Sequence, residues 1–273
     1  MSYYKILGLE EEPFSTSPDP DFFYQSQEHK AALMRLMIEI RLRRGLSLIL
    51  GDVGTGKTTL SRKFFQILKE REDIIFHMIL DPTYESEDIF LDSLIRTFKI
   101  ELNTSYPNIL DYKEGIREYL FKKGVEENKT IVLLIDEAHK LNPLSLEVLR
   151  VLLNYETNEY KLLQLVLLAQ LELLPRIREI RNLMDRISLK YILNPFDEKE
   201  TKEMIDFRIQ QAGYNGGIPL FDEEAITEIY HHTQGYPRRI AMICHNALKS
   251  LVAENKTLVD GQVIRNLIAQ EVR

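Results

Sequence analysis

Two stretches of this sequence hold residue types whose spacing suits them to act together. Gly51-Asp52-Val53-Gly54-Thr55-Gly56-Lys57-Thr58 fills the pattern GxxxxGK[ST] and follows four mostly apolar residues, Ser47 to Leu50, that suit a short buried strand. Gly51, Gly54 and Gly56 allow the backbone to curl with its N–H groups turned inward, and a helix starting near Lys57 adds the positive end of its dipole. Such a cavity suits a polyphosphate. Lys57 reaches the β- and γ-phosphate oxygens as a mobile point charge, and the Thr58 hydroxyl is placed to ligate Mg²⁺. Thr59 continues the helix as the last residue assigned to the nucleotide. The second stretch, Ile131 to Ile135 followed by Asp136-Glu137, runs an apolar strand into two carboxylates. Beside a phosphate cradle, Asp136 holds the Mg²⁺ shell and Glu137 polarises the water that attacks the γ-phosphate, which is the arrangement for metal-assisted hydrolysis.

Further candidates lie downstream. Lys161 to Ala169 (KLLQLVLLA) reads as another buried strand, with Gln170 at the carboxyl end, where open parallel sheets bind ligands; Gln170 is a candidate sensor of the γ-phosphate. His139 either orients the acidic turn or is structural. Arg176, Arg178 and Arg181 punctuate the next helix, and Arg186 immediately precedes the last strand, Ile187 to Leu193. Arg41, Arg43 and Arg44 suit a helix C-terminus electrostatically, with a nucleic-acid contact as the alternative.

The elements that must position these residues follow from pattern. Ile74 to Leu80 is a continuous apolar run with one histidine, the signature of a strand buried on both faces. Asp81-Pro82 stops it, and Ser86 opens a helix through Phe98. Another helix spans Ile109 to Glu127, with Lys122-Lys123 in a solvated turn. Before the cradle, Glu12-Pro13 and Ser17-Pro18-Asp19-Pro20 forbid a long helix and alternate with Phe14, Phe22, Phe23 and Tyr24, a rigid segment suited to cover a core edge or wall an adenine ring. Ser26 then caps a helix carrying Leu33, Met37 and Ile38. From Asp197 onward only helices are expected: Glu198 to Ala212, Asp222 to Thr233, Pro237 to Ala253 and Asp260 to Val272. Five strands alternating with helices, then a small all-helical segment, predict an α/β, doubly wound parallel five-stranded sheet with a helical C-terminal lid. The divisions expected are 1–45, an aromatic and proline-rich segment with the first helix, 46–195, the nucleotide-binding core, and 196–273, the lid.

With 42 acidic against 35 basic residues the formal charge is −7, which argues against a surface uniformly ready for nucleic acid. The single cysteine, Cys244, falls in an apolar helical run and reads as packing in a reducing compartment. No apolar run approaches a membrane span and the start lacks a signal-peptide core, so a cytoplasmic protein is expected.

The motifs together resemble the AAA+ ATPases, and more narrowly the ATPase module of the ExeA/GspA family, which includes MshM-like proteins. Leu7-Gly8-Leu9, Pro13-Phe14, Pro18-Asp19-Pro20, Tyr24-Gln25-Ser26, His29, Ala32-Leu33, Gly51-Asp52-Val53-Gly54 and Asp136-Glu137-Ala138-His139 all resemble it. Gly235-Tyr236-Pro237-Arg238 is similar to the family's GxPR motif, which implies for Arg238 the sensor 2 contact with the γ-phosphate. Where relatives carry GQPEL, this chain has Ala169-Gln170-Leu171-Glu172-Leu173 and keeps the glutamine. The resemblance also implies an arginine finger directed at a neighbouring subunit; Arg186 is the candidate and Arg181 the runner-up. Secretion-type members continue into a transmembrane segment and a peptidoglycan-binding region, whereas this chain ends at Arg273, so an ATPase module alone is expected. The family implies an ATP- and Mg²⁺-dependent homo-oligomer that remodels or recruits a partner in secretion or envelope assembly. Related short ATPases of the TniB/TnsC/MuB kind make duplex DNA the alternative partner, in transposition target selection.

Overall fold

The computed structural model describes residues 2–102, 104 and 106–271. In chain order the helices are α1 (Tyr3–Ile6), α2 (Gln27–Arg41), α3 (Lys57–Leu68), α4 (Glu87–Phe98), α5 (Ile109–Phe121), α6 (Pro143–Leu152) and α7 (Leu173–Glu179), then α8 (Glu198–Gln211), α9 (Glu223–Thr233), α10 (Pro237–Ala253) and α11 (Gly261–Glu271). The strands are β1 (Leu46–Gly51), β2 (Ile74–Ile79), β3 (Thr130–Ile135), β4 (Leu163–Ala169) and β5 (Ile187–Leu193). Val272, at the expected end of the last helix, lies outside the described residues. The chain divides into two compact units, one comprising 29–52 and 60–193, the other the segment up to Glu28, Val53–Thr59 and the segment from Asn194 onward.

The first unit holds the sheet, five parallel strands in the order β2-β3-β4-β1-β5. Its inner strands β3, β4 and β1 are buried along their whole length, as leucine- and isoleucine-rich runs covered on both faces must be. The expectation of two-sided burial fails for β2. This strand lies at the sheet edge with one neighbour, and all its residues except Ile79 are half-buried. His77 on it meets the Tyr119 hydroxyl at 3.0 Å and packs 4.7 Å from the Phe98 ring, and burial pushes its pKa down to about 4.

Two helices that frame the sheet show why they start where they do. Asn108 accepts from the Leu110 and Asp111 amides while Asp111 returns a bond to the Asn108 amide, a capping box that opens α5. The expected helix through Glu127 instead closes at Phe121 into a wider π turn, Lys122–Glu126, whose Lys123 pairs with Glu127 at 2.7 Å. Asn142 caps α6 through the Ser145 amide at 2.8 Å, with Pro143 at the first helical position.

The second unit is helical. Leu9, Phe14 and Phe22 from the proline-rich segment share one apolar core with Phe196, Ile205, Ile229, Ile240 and Leu248 of the C-terminal helices. The Arg208 guanidinium fastens this segment by donating to the Ser15 carbonyl at 3.1 Å. Cys244 is fully buried there, and burial pushes its thiol pKa far up, so it acts as packing. Among the described residues no helix is long and apolar enough to cross a membrane.

Candidate functional site

The cradle leaves the sheet from its interior, where β1 lies between β4 and β5. Gly51 is the last residue of β1 and does not share the left-handed backbone of its loop; the curl comes from Gly54 at φ +85° and Gly56 at φ +91°. Two glycines therefore do what the sequence assigns to three. Side chains strain at such φ values, and a Cβ on Gly54 would also come within 3.2 Å of the Arg238 Cβ. Asp52 and Val53 are exposed on the rim, Thr58 and Thr59 are half-buried, and Thr55 and Lys57 are only 1% and 5% exposed.

Arg238 meets this loop through its backbone. Its N–H donates to the Gly54 carbonyl at 3.3 Å, so the first turn of α10 abuts the cradle while the guanidinium is exposed. The turn before α10 admits only glycine at 235: φ is +73°, and a Cβ would stand 1.9 Å from the Phe196 carbonyl oxygen. The Phe196 amide in turn donates to the Gly235 carbonyl at 2.9 Å.

The acidic turn is built in the sheet unit. β3 ends at Ile135, and the buried Asp136 follows with its amide on the Ile79 carbonyl at 2.8 Å and its Oδ1 accepting from the Glu137 amide at 2.9 Å. Glu137 takes φ +52°, a left-handed conformation that costs a non-glycine residue about 1–2 kcal/mol and is held by the one-turn 3₁₀ segment Ala138–Lys140. Arg176 of α7 fastens that segment by donating to the His139 and Leu141 carbonyls. The His139 Nε2 lies 3.1 Å from the Gln170 amide nitrogen and 3.5 Å from Glu137 Oε2. Thus Gln170, His139 and Glu137 form one contiguous row at the carboxyl ends of β4 and β3. The link from Gln170 through His139 and the clamp by Arg176 have no local signal in sequence, because the first depends on two strand ends meeting and the second on α7 meeting the turn after β3.

The remaining arginines divide by what they touch. Arg186 ends the 3₁₀ turn Met184–Arg186 ahead of β5, half-buried, and its guanidinium makes no hydrogen bond or salt bridge among the described residues. Its charge adds a weaker attraction on Glu147, whose carboxyl is held low chiefly by its hydrogen bond with Arg150. Arg181 is exposed. Arg43 is committed to the fold: Nε donates to Thr130 Oγ1 at 3.0 Å and the guanidinium lies 4.5 Å above the Tyr160 ring. It precedes the amino end of β1.

A parallel sheet with a glycine-curled loop between β1 and α3 and an acidic turn after β3 defines the P-loop nucleotide hydrolase fold of the AAA+ kind, carrying a helical C-terminal region. Residues 40–177 match the AAA domain model, and the chain belongs to that family. It is similar to General secretion pathway protein A of Aeromonas hydrophila, at 36% identity over 99% of this chain and 48% of that protein, so it spans about half of that relative's length. Among solved structures it is similar to the Aeropyrum pernix ORC2 protein in ADPNP-ADP complexes, with TM-score 0.64 and 16% identity over 95% of this chain and 71% of that one. It is likewise similar to Drosophila ORC bound to DNA, with TM-score 0.68 and 18% identity over 100% of this chain and 66% of that one. At those identities the structural likeness concerns the fold.

Proposed function

We propose that this chain binds ATP and hydrolyses it to ADP and phosphate, with 46–195 as the nucleotide-binding core and 196–273 as its lid. The carrying observation is that β1, which feeds the cradle, and β3, which Asp136-Glu137 follow, run parallel in one sheet with only β4 between them. The backbone of Gly51 to Thr59 receives the phosphates and Lys57 neutralises their β- and γ-oxygens. Thr58 and Asp136 each supply a hard oxygen of the kind that would hold Mg²⁺, which would offset the charge of the phosphates. Glu137 orients and deprotonates the attacking water, Gln170 and Arg238 sense the γ-phosphate, and Arg186 serves a neighbouring copy.

Nucleotide-dependent assembly of copies in the cytoplasm then recruits or remodels a protein partner. The similarity to a protein named for general secretion supports a secretion or envelope-assembly setting. Duplex DNA is the second reading, favoured by the exposed Arg41 at the end of α2 and the exposed Arg44 just after it. Gel filtration of Glu137→Gln protein in ATP, with and without duplex DNA, tests both. Assembly in ATP that ignores DNA supports the protein partner, assembly that carries DNA supports the second reading, and failure to bind ATP defeats the proposal.

A further inference from the structure

The chemistry proposed above leaves His139 unused, yet the residue is built into the row that holds Gln170 and Glu137. Its side chain is only 9% exposed, and the carbonyl of its turn is pinned by Arg176. Three polar groups surround its Nε2: the Gln170 amide at 3.1 Å, Glu137 Oε2 at 3.5 Å and Glu172 Oε1 at 3.8 Å. Nδ1 is buried with no hydrogen-bond partner among the described residues, so the ring's polar traffic passes through Nε2 alone. Two carboxylates near Nε2 favour the form that carries hydrogen there, a single donor facing three acceptors once the Gln170 amide presents its oxygen. One N–H makes one strong bond at a time. Once its amide oxygen takes the place of the nitrogen that stands 3.1 Å from the ring, Gln170 therefore competes with Glu137 for it.

We propose that His139 is a positioning residue that couples Gln170 to Glu137. When the Gln170 amide turns toward a γ-phosphate, the Nε2–H passes to the Glu137 carboxylate, fixes one of its oxygens and leaves the other for water. No proton changes owner; only the hydrogen-bond partner does. Glu137 needs such a guide because its backbone is already fixed at positive φ, so its side-chain torsions alone decide where the carboxylate points. The coupling makes the presence of a γ-phosphate the condition for a well-aimed base, and it rests on the hydrolysis reading above.

The test compares wild type with His139→Phe, which fills the ring's space without a polar edge, His139→Gln, which restores a donor and an acceptor, Gln170→Ala, and the double variant His139→Phe/Gln170→Ala. ATP affinity of the His139 variants stays within about threefold of wild type, measured with a fluorescent analogue. The kcat of His139→Phe falls about 10²-fold, the scale of a misplaced catalytic group, and His139→Gln recovers part of it. The double variant is no slower than the slower single, as expected of residues acting as a unit. Wild-type turnover by His139→Phe, or losses that multiply in the double variant, overturns the coupling. Should the Phe variant not fold, His139→Leu takes its place in the same cycle, with the same outcomes deciding. A wild-type protein that binds ATP without any turnover overturns the hydrolysis reading itself, and that result is distinct because no rate exists for the variants to lose.

Discussion

Glu137 is the one acidic residue described here with a left-handed backbone. Strain of that kind persists where surrounding structure over-determines it, and the Arg176 clamp together with the Asp136 bond to its amide does so. Glu137→Gln keeps the turn and the cradle, so ATP binding survives while steady-state hydrolysis falls by about 10²-fold or more; near-normal turnover in a phosphate-release assay removes Glu137 from the base role. Lys57→Ala acts earlier, by deleting the buried cation of the cradle, and abolishes nucleotide binding in a titration that Glu137→Gln passes. Arg186 is separable from both. With no partner holding its guanidinium at short range among the described residues, Arg186→Ala leaves the subunit's affinity intact and stops hydrolysis, and mixing it with Lys57→Ala restores part of the activity at composite sites. Wild-type rates for Arg186→Ala under assembling conditions place the finger elsewhere.

At the scale of elements, the sites most sensitive to substitution are turns. Gly235→Ala drives a Cβ into the Phe196 carbonyl at a positive φ, and a loss of about 3 kcal/mol or more is expected in denaturant unfolding. Asn142→Ala removes a cap and costs about 1 kcal/mol, read the same way. The strands and the C-terminal helices were legible because their periods are long and unmixed: Ile131 to Ile135 and Pro237 to Ala253 admit one reading each. α6 carries no assignment from sequence, since Leu144, Leu146 and Val148 alternate as in a strand while Leu149 and Leu152 keep helical spacing. β2 misleads for another reason. Its composition is that of an inner strand, and only the order of the sheet reveals it as an edge. Of the candidate site, the cradle and the carboxylates are local in sequence and stand out as motifs; the sequence also offers His139 as orienting the acidic turn, but its link to Gln170 joins the ends of two strands and has no local signal.

For the whole molecule, pH and salt report different things. His77 stays neutral in the fold down to about pH 4, whereas in the unfolded chain it protonates near its ordinary value of 6.5. The unfolded state thus binds more protons between those values, and stability falls as pH drops through that window. His77→Phe flattens this part of the stability profile relative to wild type; an unchanged slope means that other groups cause it. Salt addresses the partner: if duplex DNA is bound by many copies, binding requires ATP and weakens steeply with ionic strength. The hydrogen bond from the Arg238 amide to the Gly54 carbonyl has one more consequence. A loop that rearranges to grip a nucleotide must keep or surrender that bond, so occupancy of the cradle and the opening rate of the first turn of α10 are linked functions, each altering the other by the same free energy. Deuterium uptake at that one amide, timed with and without ATP, becomes a gauge of the linkage that needs no turnover at all.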